Sequence, residues 1–324
     1  MKRHFKKIYS LILLCLFCNL SFSQAKNPYG FDNIDFPNKL LRFGAGTKGG
    51  LLYPIAESIC KLINKNQDAS RIRCVLIETP GAEFNVMALE NESFEISITQ
   101  GDNLIRMTAD EEDGPTALRL VSLLGYAPVN LFARKEINSI EDFKGKKYNA
   151  NAPGTGSAMT GNDFLNSANL DTKDFGSVEY FPSSQIASNF CDKNIDFGIY
   201  VYPHPGQIIK NILDCDGKLL SIPKNVLSSM KENIPSSKEI TIPKGVYPKV
   251  DSDINSIAVP MVLVSTSNIS KEAIFRFVTI LKTHYGLVAS RLPQISRDFL
   301  DLKDMSEIDF NVHDGATRAL SVSK

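Results

Sequence analysis

The chain has 324 residues, 43% of them hydrophobic, with 36 Lys and Arg set against 36 Asp and Glu. Residues 1–23 hold four of the basic residues and none of the acidic ones, so the remainder carries a formal charge of −4. That leaves no basic excess to attract a nucleic acid or an anionic membrane, and about 300 residues suffice for two domains with filled cores.

The first residues carry Lys2, Arg3, Lys6 and Lys7, then an uncharged apolar run from Ile8 to about Leu20, then the small residues Ser21 and Ser23. This three-part layout predicts a cleaved secretory signal peptide over 1–23, with Ala25 as an alternative end and a single membrane anchor as the competing reading. The expected location is therefore periplasmic. No later apolar run approaches spanning length, so a role in transport calls for a separate membrane protein. Cys60, Cys74, Cys191 and Cys215 remain after the leader. In an oxidising compartment they allow three pairings, of which Cys60–Cys74 with Cys191–Cys215 is the most local; buried free thiols are the alternative. Cysteines and histidines are scattered singly, without metal-ligand spacing, and no metal is expected.

Along the chain a strand "LLRFGAG" runs into a glycine loop, "GAGTKGGLLYP" (44–54), and a helix "YPIAESICKLINK" with apolar residues at helical spacing. Strand "RIRCVLIET", helix "GAEFNVMALENE" and strand "FEISITQGD" follow, which implies a right-handed parallel α/β sheet. "LRLVSLLGYAPVNLFARK" reads as two apolar runs broken by a turn near Gly125. The rhythm then restarts with "SIEDFKGKKYNAN", the loop "APGTGSAMT", helix "GNDFLNSANL", strand "VEYFP", helix "SQIASNFCDK" and strand "IDFGIYVYP". A polar linker, "KENIPSSKEITIPKGVYPKVDSD", leads to the apolar "INSIAVPMVLVSTS" and a helical "KEAIFRFVTILKTHYGLVASRL". Two α/β lobes with their glycine loops facing one cleft form the simplest architecture.

Gly44, Gly46, Gly49 and Gly50 leave the backbone free to approach a ligand, and the following helix start favours an anion. No Lys-Ser/Thr pair closes the loop as in a nucleotide-hydrolysing loop. Gly44, Gly46 and Gly49 match a dinucleotide fingerprint, but only Glu78 could serve as its acidic partner, and export argues against such a cofactor. The second loop sets Thr155, Ser157 and Thr160 hydroxyls beside Gly154 and Gly156: a neutral cradle for a carboxylate, or an ordinary helix N-cap. Ser157 lacks the nucleophile-elbow pattern, and His204 and His313 lie in turn-like contexts that suit capping or surface roles. A binding protein without a cofactor is expected, not an enzyme.

In order, the pieces "GAGTKGGLLYP", "ETPGAEFNV", "ISITQGD", "SIEDFKGKKY", "APGTGSAMT", "IDFGIYVYPHP", "IPKGVYP", "IAVPMVLVSTSNI" and "HDGATR" resemble the TAXI family, extracytoplasmic solute-binding proteins of tripartite ATP-independent periplasmic (TRAP) transporters. The resemblance implies a two-lobed, type II periplasmic-binding-protein fold with parallel-rich sheets, helices on both faces and a hinge of two crossover strands, "YAPVNLFARK" and "SIAVPMVLVS". Lobe I would comprise 27–127 and 256–324, and lobe II 128–255 with the linker back to the hinge. It implies a monomer that encloses a small carboxylate, an amino acid or a dicarboxylate, and docks on TRAP membrane subunits. Carried over position by position, its ligand contacts would be Gly46, Thr47, Gly49, Tyr53, Asn85, Gln100, Gly154, Thr155, Gly156, Ser157 and Thr160, and Tyr200 is expected at the ligand as part of a wall that departs from the family. The chain departs from the family at Ala45, Leu52 and Pro203, while Tyr200, Tyr202 and His204 reshape one wall. Competing readings are a sensor input to a membrane kinase, an exported hydrolase using Ser157, and an interaction protein whose cleft those three residues block.

Overall fold

The computed structural model describes residues 28–31, 36–108, 116–291, 305–306 and 308–321, and the expected signal peptide lies outside them. The first half of the sheet is built from β1 (Lys39–Gly46), α1 (Leu52–Lys65), the single turn α2 (Gln67–Ser70), β2 (Ile72–Glu78), α3 (Ala82–Glu90), β3 (Ile96–Gln100) and α4 (Gly101–Met107). β1 lies parallel to both β2 and β3. β3 is buried at all five positions, as a strand between neighbours and under helices must be. α1 turns Ile55, Ile59, Leu62 and Ile63 inward, the spacing that its sequence advertises. α4 was not expected: its Gly-Asp start sat inside the stretch assigned to a strand end.

β4 (Leu118–Arg134) is one strand of 17 residues. The turn expected near Gly125 is instead a bulge, because Met261 faces Gly125 while Val262 faces Leu123, and Gly125 takes φ +135° to absorb the extra residue. The strand therefore bends without ending, and its second part enters a different sheet environment. There it pairs antiparallel with β7 (Phe197–Val201) and β8 (Gly217–Leu220). Between them run β5 (Lys147–Asn149), α5 (Gly156–Ser167), β6 (Ser177–Glu179), α6 (Ser183–Cys191) and α7 (Gln207–Asp214), with β5 parallel to β6 and β7. α5 begins inside the loop "APGTGSAMT", five residues earlier than the helical pattern suggested.

The polar stretch read as a linker holds the end of α8 (Lys224–Asn233) and the strand β9 (Lys238–Ile242). β9 pairs with β10 (Ile254–Thr266), which continues antiparallel to β4 and β3. α9 (Lys271–Thr283), α10 (Tyr285–Arg291) and α11 (Asp314–Ser321) complete the described chain. The path β2-β1-β3-β10-β4-β7-β5-β6 makes β4 and β10 the two strands through which both halves connect. Pro260 pairs with Tyr126 and Pro128 with Ala258 at the crossing, where a residue without an N–H is tolerated because ladder partners change there. The Ser256 hydroxyl donates to the Val129 carbonyl and ties the two strands together.

Both local disulfides form. Cys60 on α1 joins Cys74 on β2 across 5.3 Å between Cα atoms, and Cys191 joins Cys215 across 5.2 Å. The first ties α1 to β2 and the second ties the end of α6 to the end of α7, each within its own half. The Cys60→Ala/Cys74→Ala double variant is expected to lose about 3 kcal/mol of unfolding free energy, the chain-entropy value for a loop of this length; a urea midpoint unchanged from the parent protein would contradict that.

Candidate functional site

The carboxyl ends of the parallel strands in both halves face one crevice, as in open α/β sheets generally. At its bottom lies a cavity of about 50 Å³. Gly50, Leu51 and Leu52 bring the start of α1 to it, and Gly81 and Ala82 the start of α3. From the other half come Thr155, Gly156 and Ser157 at the start of α5, and Ser183 at the start of α6. Four helix N-termini thus converge on one space. The starts of α1, α3 and α6 have no side-chain cap, so their first N–H groups have no partner of that kind. Among the described residues, no charged side chain lines the cavity. The positive ends of four helix dipoles set its potential, which suits an anion.

The two halves touch through small residues. A Cβ on Gly81 would stand 2.8 Å from the Gly154 carbonyl oxygen, and one on Gly49 2.9 Å from Ser184 Cβ. Gln100 reaches across to α5, where a Cβ on Gly156 would overlap its Oε1 at 1.2 Å. Its Nε2 lies 3.4 Å from Thr160 Oγ1, and Arg106 on α4 pairs with Asp163 on α5 at 2.6 Å. Beside Thr160, at 3.5 Å, is the buried Asp102 carboxylate. Burial, reinforced by Asp163 and opposed by Arg106, pushes the Asp102 carboxyl up to about 6.

Of the residues predicted from the sequence, Gly46, Thr47, Gln100, Thr155, Gly156, Ser157 and Tyr200 line the cavity. Five do not. Asn85 is fully buried beneath it, accepting from the Thr79 hydroxyl and donating to the Ile98 carbonyl, so it staples the turn after β2 to β3. Thr160 is fully buried and donates to the Gly156 carbonyl. Tyr53 packs on the core with Lys48 Nζ 6.0 Å from its ring, and Lys48 itself pairs with Glu78 in solvent. Gly49 serves the contact with Ser184, and Gly154 faces an outer groove. Gly44, grouped with the ligand glycines by its sequence context, makes room for the Phe94 ring instead.

Within the cavity the hydroxyls differ in what they have left to give. Thr155 Oγ1 donates to the Ala152 carbonyl and accepts from Ala158 N–H, which is an N-cap. Ser157 Oγ accepts from Val201 N–H at 3.1 Å, leaving its proton for another acceptor. Tyr200 stacks on Tyr202, and burial raises its phenol above the ordinary range, with Ser183 opposing the rise. His204 bonds the Tyr247 hydroxyl, while His313 bonds the Ile269 carbonyl and Gly315 N–H; both are partnered away from Ser157. Sequence reasoning missed Ser183 and the Pro80–Gly81 turn as cavity lining, although the Pro-Gly pair before a helix was a visible sign of a tight approach.

Solved structures with the same fold include the periplasmic binding protein BugD, with 10% identity over 88% of this chain and 96% of that one and a TM-score of 0.54. A protein from Bordetella bronchiseptica RB50 is 15% identical over 88% of this chain and 98% of its own, with a TM-score of 0.52. A Xanthomonas citri protein solved bound to ATP is 11% identical over 86% and 98%, with a TM-score of 0.51. The fold is that of the type II periplasmic binding proteins. The chain belongs to the NMT1-like family, which it matches over residues 43–321.

Asp102 binds its proton more tightly in the folded chain than in the unfolded one. Its contribution to stability is therefore most favourable in acid and declines as pH rises through about 6. Asp102→Asn should raise unfolding free energy at pH 8 by up to about 3 kcal/mol and by much less at pH 4; equal gains at both pH values would show that the carboxylate is not penalised there.

Proposed function

We propose that the protein is an extracytoplasmic solute-binding receptor that closes around a small carboxylate and passes it to TRAP-type membrane subunits, as its resemblance to the TAXI family implies. The moving bodies are lobe I, 27–127 with 256–324, and lobe II, 128–255, and the paired crossing of β4 and β10 is the hinge. Export through the leader at 1–23 places it where such a receptor works.

The observation that carries this reading is the convergence of four helix starts, two from each half, on one cavity that no charged side chain lines among the described residues. A receptor must bind an anion and also release it. Backbone N–H groups together with the Ser157 hydroxyl hold a carboxylate through directed hydrogen bonds, without a fixed counter-charge that would have to be desolvated again on opening. The ligand also closes the hinge by bridging the halves, since its oxygens would meet donors from both. Ser157 is the side chain assigned to the carboxylate, with Gln100, Ser183 and the N–H groups of α1, α3 and α5 around it. Thr155 acts through α5, as its cap.

The two hydroxyls can be separated experimentally. Thermal unfolding of protein stripped of carried-over ligand should show a midpoint raised by selected carboxylates, because a ligand of the native state stabilises by mass action. Ser157→Ala should weaken that binding about tenfold or more, since a hydrogen bond to a charged group is worth about 1.5–3 kcal/mol. Thr155→Ala should cost about 1 kcal/mol of stability as a lost cap, with a smaller effect on affinity. No shift with any acid would reject the receptor in favour of a blocked-cleft interaction protein.

A further inference from the structure

A second space adjoins the cavity, a groove of about 510 Å³ between the two halves of the molecule. One bank is α3, with Phe84 and Met87; the other carries Met159 on α5 and Tyr180 after β6. Met87 and Tyr180 are 44% and 61% exposed, and large apolar side chains this open are few among the described residues. Both are on this groove. Among the described residues, Glu83 is the one charged residue lining it, and no basic residue does so.

Groove and cavity are separated by very little. Pro80 lines both, and the partition is the contact of two turns, Pro80–Gly81 against Gly154–Thr155. Gly81 has φ +154°, and a Cβ there would lie 2.8 Å from the Gly154 carbonyl oxygen, so the partition is mainly backbone against backbone, with only the small Thr155 methyl and the Pro80 ring beside it. The turns belong to opposite halves, so a slight parting joins the two spaces into one.

We propose that the groove is the outer compartment of the same binding site, and that the ligand is a monocarboxylate with an apolar or aromatic tail. The inference rests on the receptor reading above. The acid group sits at the helix starts, where about 50 Å³ accommodates a head group and little more. The tail passes between Gly81 and Gly154 and lies against Phe84, Met87, Met159 and Tyr180, where thioether and ring surfaces adapt to its shape. A dicarboxylate fits this arrangement badly, because its second charge would meet Glu83 and no cation.

Titration calorimetry of the stripped protein, without residues 1–23, against acetate, butyrate, hexanoate, octanoate, 4-phenylbutyrate, succinate, glutamate and 1-octanol tests this. Affinity should tighten along the fatty-acid series by about fourfold per added methylene until the groove is filled, and succinate should bind more weakly than butyrate. Met87→Ser and Tyr180→Ala alter exposed side chains and should leave the fold intact; each should weaken octanoate several-fold and leave acetate unchanged. Selective binding of succinate or glutamate, insensitive to both variants, would overturn the tail compartment and leave the receptor reading standing. Binding of 1-octanol as tight as octanoate would make the groove a separate apolar site and overturn the single-ligand claim. No heat from any acid, together with no rise in the unfolding midpoint, would reject the receptor and this inference together.

Discussion

β4 and β10 run antiparallel to one another through both halves of the sheet, and their pairing decides where every other strand ends. β1 and β3 stack outward on one side of the pair, and β7 and β5 on the other, so two sets of parallel strands deliver their following loops to one crevice. The bulge at Gly125 bends β4 enough to feed both halves, while Pro128 and Pro260 occupy the crossing itself. Were β4 to stop at Gly125, the halves would be joined by a flexible turn and the four helix starts would have no common target.

The electrostatics of the site follow from that geometry. Each helix brings only partial charges, which add where the four starts converge on one cavity. The walls are nevertheless held by charges placed just outside. Arg106 pairs with Asp163 across the halves, Lys48 is neutralised by Glu78 in solvent, and Asp102 is buried behind Thr160 at the same seam. Burial keeps Asp102 protonated more easily than it would be in water. The seam is thus sensitive to anything that hydrates it.

Much of the α/β alternation could be read from the chain, because apolar spacing in α1 and the short apolar runs of β2, β3 and β7 are local signals. The glycine loops were legible as close approaches for the same reason, although their purposes divided. Gly156 admits the Gln100 side chain, Gly81 and Gly49 admit backbone from the opposite half, and Gly44 admits Phe94. A glycine records that something is near, and its sequence neighbours do not say what. Asn85, Thr160 and Thr155 carry the same lesson for polar groups. Each was expected at the ligand, and each has its hydrogen bonds committed to the protein: under the turn, within α5, or at its cap. A hydroxyl in a glycine loop looks alike in sequence whether it caps a helix or faces a cavity.

By itself the sequence determined the class of fold, offered the two local disulfides as one of three pairings, and marked the first glycine loop as a close approach. All of these depend on periodicity, spacing and residue type within a few tens of residues. Tertiary structure alone decided that β4 continues through Gly125, that α1, α3, α5 and α6 begin at one cavity, and that Ser183 and Gly81 belong to its wall. It also decided which hydroxyls remain free. These are facts about segments that lie far apart in the chain, and they arise only when two strands cross and the halves they carry are brought face to face.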